Sequence, residues 1–134
     1  MKQIRMIETS ISILSINDDG VAEMHFKSGV TMDIPAQLEH LNGIIELTKN
    51  HPTPFIVTAD EFVAFTKEAK ENASIIEDKS PVCASAIVVS NLGYRLLADF
   101  FIKIQKPKNP YKTFTDKEKA IEWCKQFVTT NPSK

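Results

Sequence analysis

Two stretches of the chain carry side chains able to do chemistry. In 55-FIVTADEFVAFTKEA-69 the adjacent carboxylates Asp60 and Glu61 follow a short apolar run, and Thr66 stands a little further on. In 88-VVSNLGYRLLADFF-101 the pair Ser90-Asn91 separates a strand-type apolar run from a helix-type one. Two carboxylates can share acid–base work when both reach one substrate atom. Neighbours in sequence rarely converge in that way, so Asp60 and Glu61 are assigned to an exposed edge and no catalytic residue is named. Thr66, Ser90 and Asn91 are residue types that cap helix starts by accepting from an orphan backbone N–H. The remaining free N–H groups can hold an anion, and Arg95 lies about one turn inside the second helix. Asp60, Glu61, Thr66, Ser90, Asn91 and Arg95 therefore form the candidate surface for a partner or an anion. Phe55, Phe62, Phe100 and Phe101 are the candidate lining of an apolar pocket.

Other chemistries find little support. His25, His40 and His51 share no zinc-ligand spacing, and no Cys/His cluster exists, so no metal is expected. The four glycines are isolated, at 20, 29, 43 and 93, and the chain has no GxSxG elbow, phosphate loop or GxGxxG. No cofactor is expected either. Cys83 and Cys124 belong to no CxxC pair and are assigned as reduced, buried thiols. Lys103, Lys106, Lys108 and Lys112 make a basic run around 105-QKPKNP-110. It lacks the aromatic interleaving that single-strand binders use, so a solvated loop is expected and nucleic acid is not a partner.

Composition agrees. The 134 residues suit a single domain, 1–134, with 129–134 as a flexible tail. Hydrophobic residues make up 43% and charged residues 25%, with a net charge of −1. That balance supports a folded core and gives no global attraction to polyanions. Arg5 and Glu8 interrupt the N-terminal MKQIRMIETSISIL before a signal peptide's apolar region could form, and no run is long enough to span a bilayer. A soluble, cytoplasmic protein is the expectation.

The elements that must position these residues follow from periodicity. Residues 10-SISILSI-16 and 21-VAEMHFK-27 alternate, and 17-NDDG-20 supplies the turn of a hairpin. Residues 30-VTM-32 suit a short strand. From Asp33, an N-cap, Leu38, Leu41, Ile44, Ile45 and Thr48 recur at helical spacing, with Pro35 in the first turn. Gly43 inside that helix suggests close packing. The runs 55–59 and 82–90 are continuously apolar, as in strands buried on both faces. Helices are expected at 66–76, capped by Thr66, and at 92–104. In the latter Arg95, Asp99 and Lys103 form a charged stripe opposite Leu96, Leu97, Phe100, Phe101 and Ile104. A short strand, 111–114, precedes a last helix opened by the capping box 115-TDKE-118. The order ββ(β)-α-β-α-β-α-β-α predicts an α/β fold. Its central sheet is mostly parallel, with an antiparallel N-terminal hairpin edge and about four helices.

This order, and in particular 86-AIVVSNLGYRLLADFFIKIQKP-107 followed by 113-TFTDKEKAIEWC-124, resembles the SpoIIAA-like (STAS-like) domains, small bacterial α/β proteins. The resemblance covers most of the chain. It implies a non-enzymatic regulatory or protein-interaction domain whose partner is another protein, with a homodimer also compatible. The alternative it implies is a small binding protein for a lipid or other apolar ligand. Family members of the anti-sigma antagonist type are switched by phosphorylation in an Asp-Ser-Ser-Gly motif. The matching region here, 58-TADEFVAFTKEA-69, lacks that motif, and Thr66 alone offers a hydroxyl near the following helix.

Overall fold

The computed structural model describes residues 5–60, 63–89 and 107–128. The expected hairpin is present: β2 (Ser12–Ile16) pairs antiparallel with β3 (Ala22–Phe26), and Gly20 closes the turn at φ 88°. A strand that the periodicity did not announce, β1 (Arg5–Glu8), pairs antiparallel outside β2. Its Arg5 guanidinium donates to the carbonyls of Leu47, at 2.7 Å, and Glu46, at 3.2 Å. These belong to the last turn of α1 (Ile34–Thr48), where a cation complements the helix dipole. The start of α1 is as expected, since Asp33 accepts from the Ala36 N–H at 2.9 Å and Pro35 lies in the first turn. Its buried face runs through Ala36, Gln37, His40, Leu41, Gly43, Ile44, Leu47 and Thr48, whereas Leu38, expected on the apolar stripe, is exposed.

Downstream, β5 (Thr53–Ala59), β7 (Val82–Val88) and β8 (Tyr111–Phe114) extend the sheet with parallel ladders, giving the order β1-β2-β3-β5-β7-β8. Two short strands, β4 (Thr31–Met32) and β6 (Ala64–Phe65), pair with each other in a separate parallel sheet. The helix expected over 66–76 is two pieces, α2 (Lys67–Glu71) and α3 (Ala73–Lys79), divided at Asn72. The last helix, α4 (Lys117–Lys125), is capped by Asp116 and not by Thr115. The Asp116 carboxylate accepts from the Glu118 N–H at 2.9 Å, and Asp outranks Thr in this role. The helix expected over 92–104 lies outside the described residues.

Strand β5 shows why most of its run is apolar. Phe55 points into a cluster with Leu14, Ala22, Met24, Ile44 and Leu47, under α1. The next residue, Ile56, joins Val21, Ala86, Phe114, Ala120 and Cys124, under α4. Successive side chains of a strand face opposite ways, so α1 and α4 cover opposite faces of one sheet. A third cluster, Ile11, Met32, Ala36 and Ala69, ties β4, α1 and α2 together.

Candidate functional site

The β3–β5 ladder holds a constant separation of 33 residues, from Ala22↔Phe55 to Phe26↔Ala59. The same separation recurs in Thr31↔Ala64 and Met32↔Phe65, so β4–β6 continues that register past an interruption. The interruption falls at the carboxyl ends of β3 and β5, where open α/β sheets gather their ligands. Its polar side chains come from both strands. His25 and Thr58 are cross-strand partners, and His25 Nδ1 lies 2.7 Å from Thr58 Oγ1. His25 Nε2 lies 3.5 Å from Asp60 Oδ2, and the Ser28 hydroxyl donates to the same oxygen at 3.4 Å. The Asp60 side chain is 70% exposed and that of His25 39%. With the proton on Nε2, His25 accepts from the Thr58 hydroxyl and faces the Asp60 carboxylate. The cluster is an imidazole, two hydroxyls and a carboxylate at an accessible strand end, suited to hydrogen bonding with an incoming group.

Thr66 sits on the continuation of this ladder. Its N–H donates to Met32 O at 3.0 Å, and its hydroxyl oxygen accepts from the Ala69 N–H at 3.1 Å, capping α2. That helix is held from below: Gln37, buried on α1, donates through Nε2 to Ala69 O at 2.9 Å and accepts from Asn72 Nδ2 at 3.0 Å. Of the other surface residues expected from sequence, Glu61, Ser90, Asn91 and Arg95 lie outside the described residues. So do Phe62, Phe100 and Phe101 of the expected apolar pocket. The fourth, Phe55, is fully buried in the core under α1, and packing accounts for it.

Charge and burial settle the neighbouring groups. His40 is buried with Nδ1 2.8 Å from Ser12 Oγ, and desolvation pushes its pKa down to about 4, against a smaller opposing pull from Glu39. Cys124 is fully buried and donates to Phe55 O at 3.8 Å, and desolvation pushes its thiol up to about 12. Burial also raises Cys83, which is half-buried. Lys108 of the basic run pairs with Asp78 at 2.6 Å, and Lys112 lies 5.6 Å from the centre of the Phe114 ring. Among the described residues no group of three or more His, Cys, Asp or Glu side chains is placed to hold a metal. None of the described helices is long and apolar enough to cross a membrane.

Asp60 and Thr66 are the expected surface residues that the structure describes, and the neighbours of Asp60 at this edge are not among those expected. His25 reads as one of several polar residues on a strand's outer face. The available signal was Thr58, a polar residue inside an otherwise apolar run, whose partner only the strand register reveals.

A family model described as a domain of unknown function (DUF7793) matches residues 14–128. The chain belongs to the DUF7793 family. The match runs from β2 to the end of α4 and so takes in the whole β3–β5 edge. This DUF7793 chain is also similar in structure to an uncharacterised protein of the DUF3478 family with a SpoIIAA-like fold, from Shewanella loihica PV-4. The likeness covers 92% of this chain and 95% of that one, with a TM-score of 0.54 and 14% identity. At that identity the likeness speaks to the fold alone, and the fold is SpoIIAA-like, as its resemblance implied. No curated protein matches the chain.

Proposed function

We propose that this DUF7793 chain is a non-enzymatic regulatory or protein-interaction domain, acting in the cytoplasm, whose partner is another protein docking on the carboxyl edge of β3 and β5. The observation that carries the reading is the accessible His25–Asp60–Ser28 set at that edge, continued by β4–β6 to the Thr66 cap. A fold of this kind selects no activity by itself, so the surface must be tested directly. Asp60 is the residue to change, because its side chain is mostly exposed and its substitution leaves the core intact. Capture of interacting protein from extracts of the source cells, with wild-type chain and Asp60→Arg as baits, tests the placement. A partner retained by the wild type and at least about tenfold depleted with Asp60→Arg is expected, a loss of about 1.4 kcal/mol or more, because reversing the charge sets a cation against the partner groups that met the carboxylate. Equal recovery of the partner by both baits would remove this edge from the docking surface.

A further inference from the structure

His40 is buried on α1 beside β2 and the ring of Phe26, and the same helix holds α2 one turn earlier. On the sheet side, its Nδ1 lies 2.8 Å from the fully buried Ser12 Oγ, which lies 2.7 Å from Thr9 Oγ1. Thr9 Oγ1 in turn accepts from the N–H groups of Ile11, at 3.2 Å, and Ser12, at 3.0 Å. Thr9 Oγ1 also lies 3.4 Å from Ser12 O, so the Thr9–Ser12 hydroxyl bond can run either way; with Nδ1 unprotonated, Ser12 donates to neutral His40 and can accept from Thr9. An imidazolium would carry hydrogen on Nδ1, turn that end from acceptor to donor, and oblige Ser12 to turn its proton towards Thr9 Oγ1, an oxygen already taken by two amides. On the helix side, one turn before His40, Gln37 holds α2 through Ala69 O and Asn72 Nδ2. Thr66, at the docking edge, caps that same short helix.

We propose that His40 is a proton-sensitive latch: neutral, it fastens the first half of α1 to β2, and on taking up a proton it releases both that half-helix and, through Gln37, α2 at the β3–β5 edge. The groups around it leave the proton poorly accommodated. From β2 it meets the hydroxyl of Ser12, which is itself bonded to that of Thr9, and from β3 the ring of Phe26, with centroids 5.1 Å apart. On its own helix Glu39 is adjacent, but that carboxylate is taken up by the Ser10 N–H and hydroxyl. Lys27, at the end of β3, pairs with Glu8 and donates to Thr9 O, placing a cation on the far side of the same turn. Desolvation dominates and holds the folded pKa near 4, against 6.5 for the free side chain.

The sign follows from linkage. The opened form binds the proton at the ordinary histidine pKa and the closed form does not, so opening becomes easier as pH falls from about 6.5 towards 4. With those two values, the opening equilibrium rises about 20-fold between pH 7 and pH 5. The consequence for docking rests on the reading of the β3–β5 edge given above, whereas the latch is tested without any partner. Hydrogen exchange of the isolated chain, corrected for the intrinsic pH dependence of exchange, reads it at the α1 amides near residue 40 and at those of Lys70 and Asn72. Wild-type protection should fall by about that factor at both places. His40→Asn keeps an acceptor near Ser12 but cannot titrate, and its protection should be flat over the same range. Loss at α1 with α2 unchanged overturns the coupling, and equal pH dependence in both proteins overturns the latch. Should His40→Asn not fold, the wild-type imidazole resonances decide: titration near pH 4 sustains the latch, and titration near 6.5 overturns it.

Discussion

Gly20 is a position where one methyl group decides a contact. It ends the 17–20 turn at φ 88°, a left-handed conformation in which L side chains are strained. A Cβ there would stand 2.7 Å from Cγ1 of Val128, which follows α4. Gly20→Ala therefore meets both a backbone penalty and an overpacked contact, and a loss of about 2–3 kcal/mol is expected. A lower urea midpoint with an unchanged slope would show it, and an unchanged midpoint would mean that Val128 is not held against the turn. Gly43 was legible as a site of close packing. A Cβ there would approach Leu14 Cδ1 to 3.0 Å and Thr9 Cγ2 to 3.2 Å, so the missing side chain lets α1 lie close on β2. The caps Asp33 and Thr66 were equally legible, because capping is settled within three residues of sequence. The partnership of His25 with Thr58 was not, since it joins residues 33 apart through strand register.

At the scale of elements, what periodicity can see is local. The alternation of 12–16 and 22–26 and the apolar runs of β5 and β7 announce themselves. Strand β1 does not, because at a sheet edge its Met6 is left 65% exposed and its charged ends, Arg5 and Glu8, blur the pattern. The pairing of β4 with β6 is hidden for another reason: each has only two residues, and their partnership is inherited from the β3–β5 register. The entry to β8 is likewise fixed from elsewhere in the chain. One oxygen of Glu77, on α3, accepts from the N–H groups of Lys108, at 2.8 Å, and Asn109, at 3.0 Å, and Asn109 Nδ2 donates to Val82 O at 3.0 Å. The strap so formed is one wall of a depression of about 330 Å³ that also holds Cys83. Removing the shared acceptor in Glu77→Ala should free the strap, because local opening follows the loss of such exposed hydrogen bonds. Maleimide labelling of Cys83 should then speed up by roughly fivefold or more, while buried Cys124 stays unlabelled as a control for unfolding. An unchanged Cys83 rate would show that the strap does not depend on Glu77.

On the scale of the whole molecule, the two-sided burial of β5 makes the faces under α1 and α4 mutually dependent. Phe55 closes the first and Ile56 the second, and Cys124 reaches across from α4 to donate to the Phe55 carbonyl. The sequence reading of Cys124 as a buried thiol is what the packing requires, though not the link to β5, which spans 69 residues. That link has a pH signature opposite in sense to His40's. Desolvation raises the Cys124 thiol from 9.0 to about 12 in the folded chain. Between those values the unfolded chain has lost the thiol proton and the folded chain keeps it, so stability is intact below pH 9 and declines as pH rises towards 12. The expected decline approaches about 1.4 kcal/mol per pH unit in that window. Chemical denaturation of the wild type and of Cys124→Ala at pH 7.5 and pH 10 separates this contribution from the background of lysines and tyrosines. The alanine variant should begin less stable, for lost packing, yet lose less on going to pH 10. If both proteins lose the same amount, the thiol is reached by solvent and the seam between α4 and β5 is looser than its packing indicates.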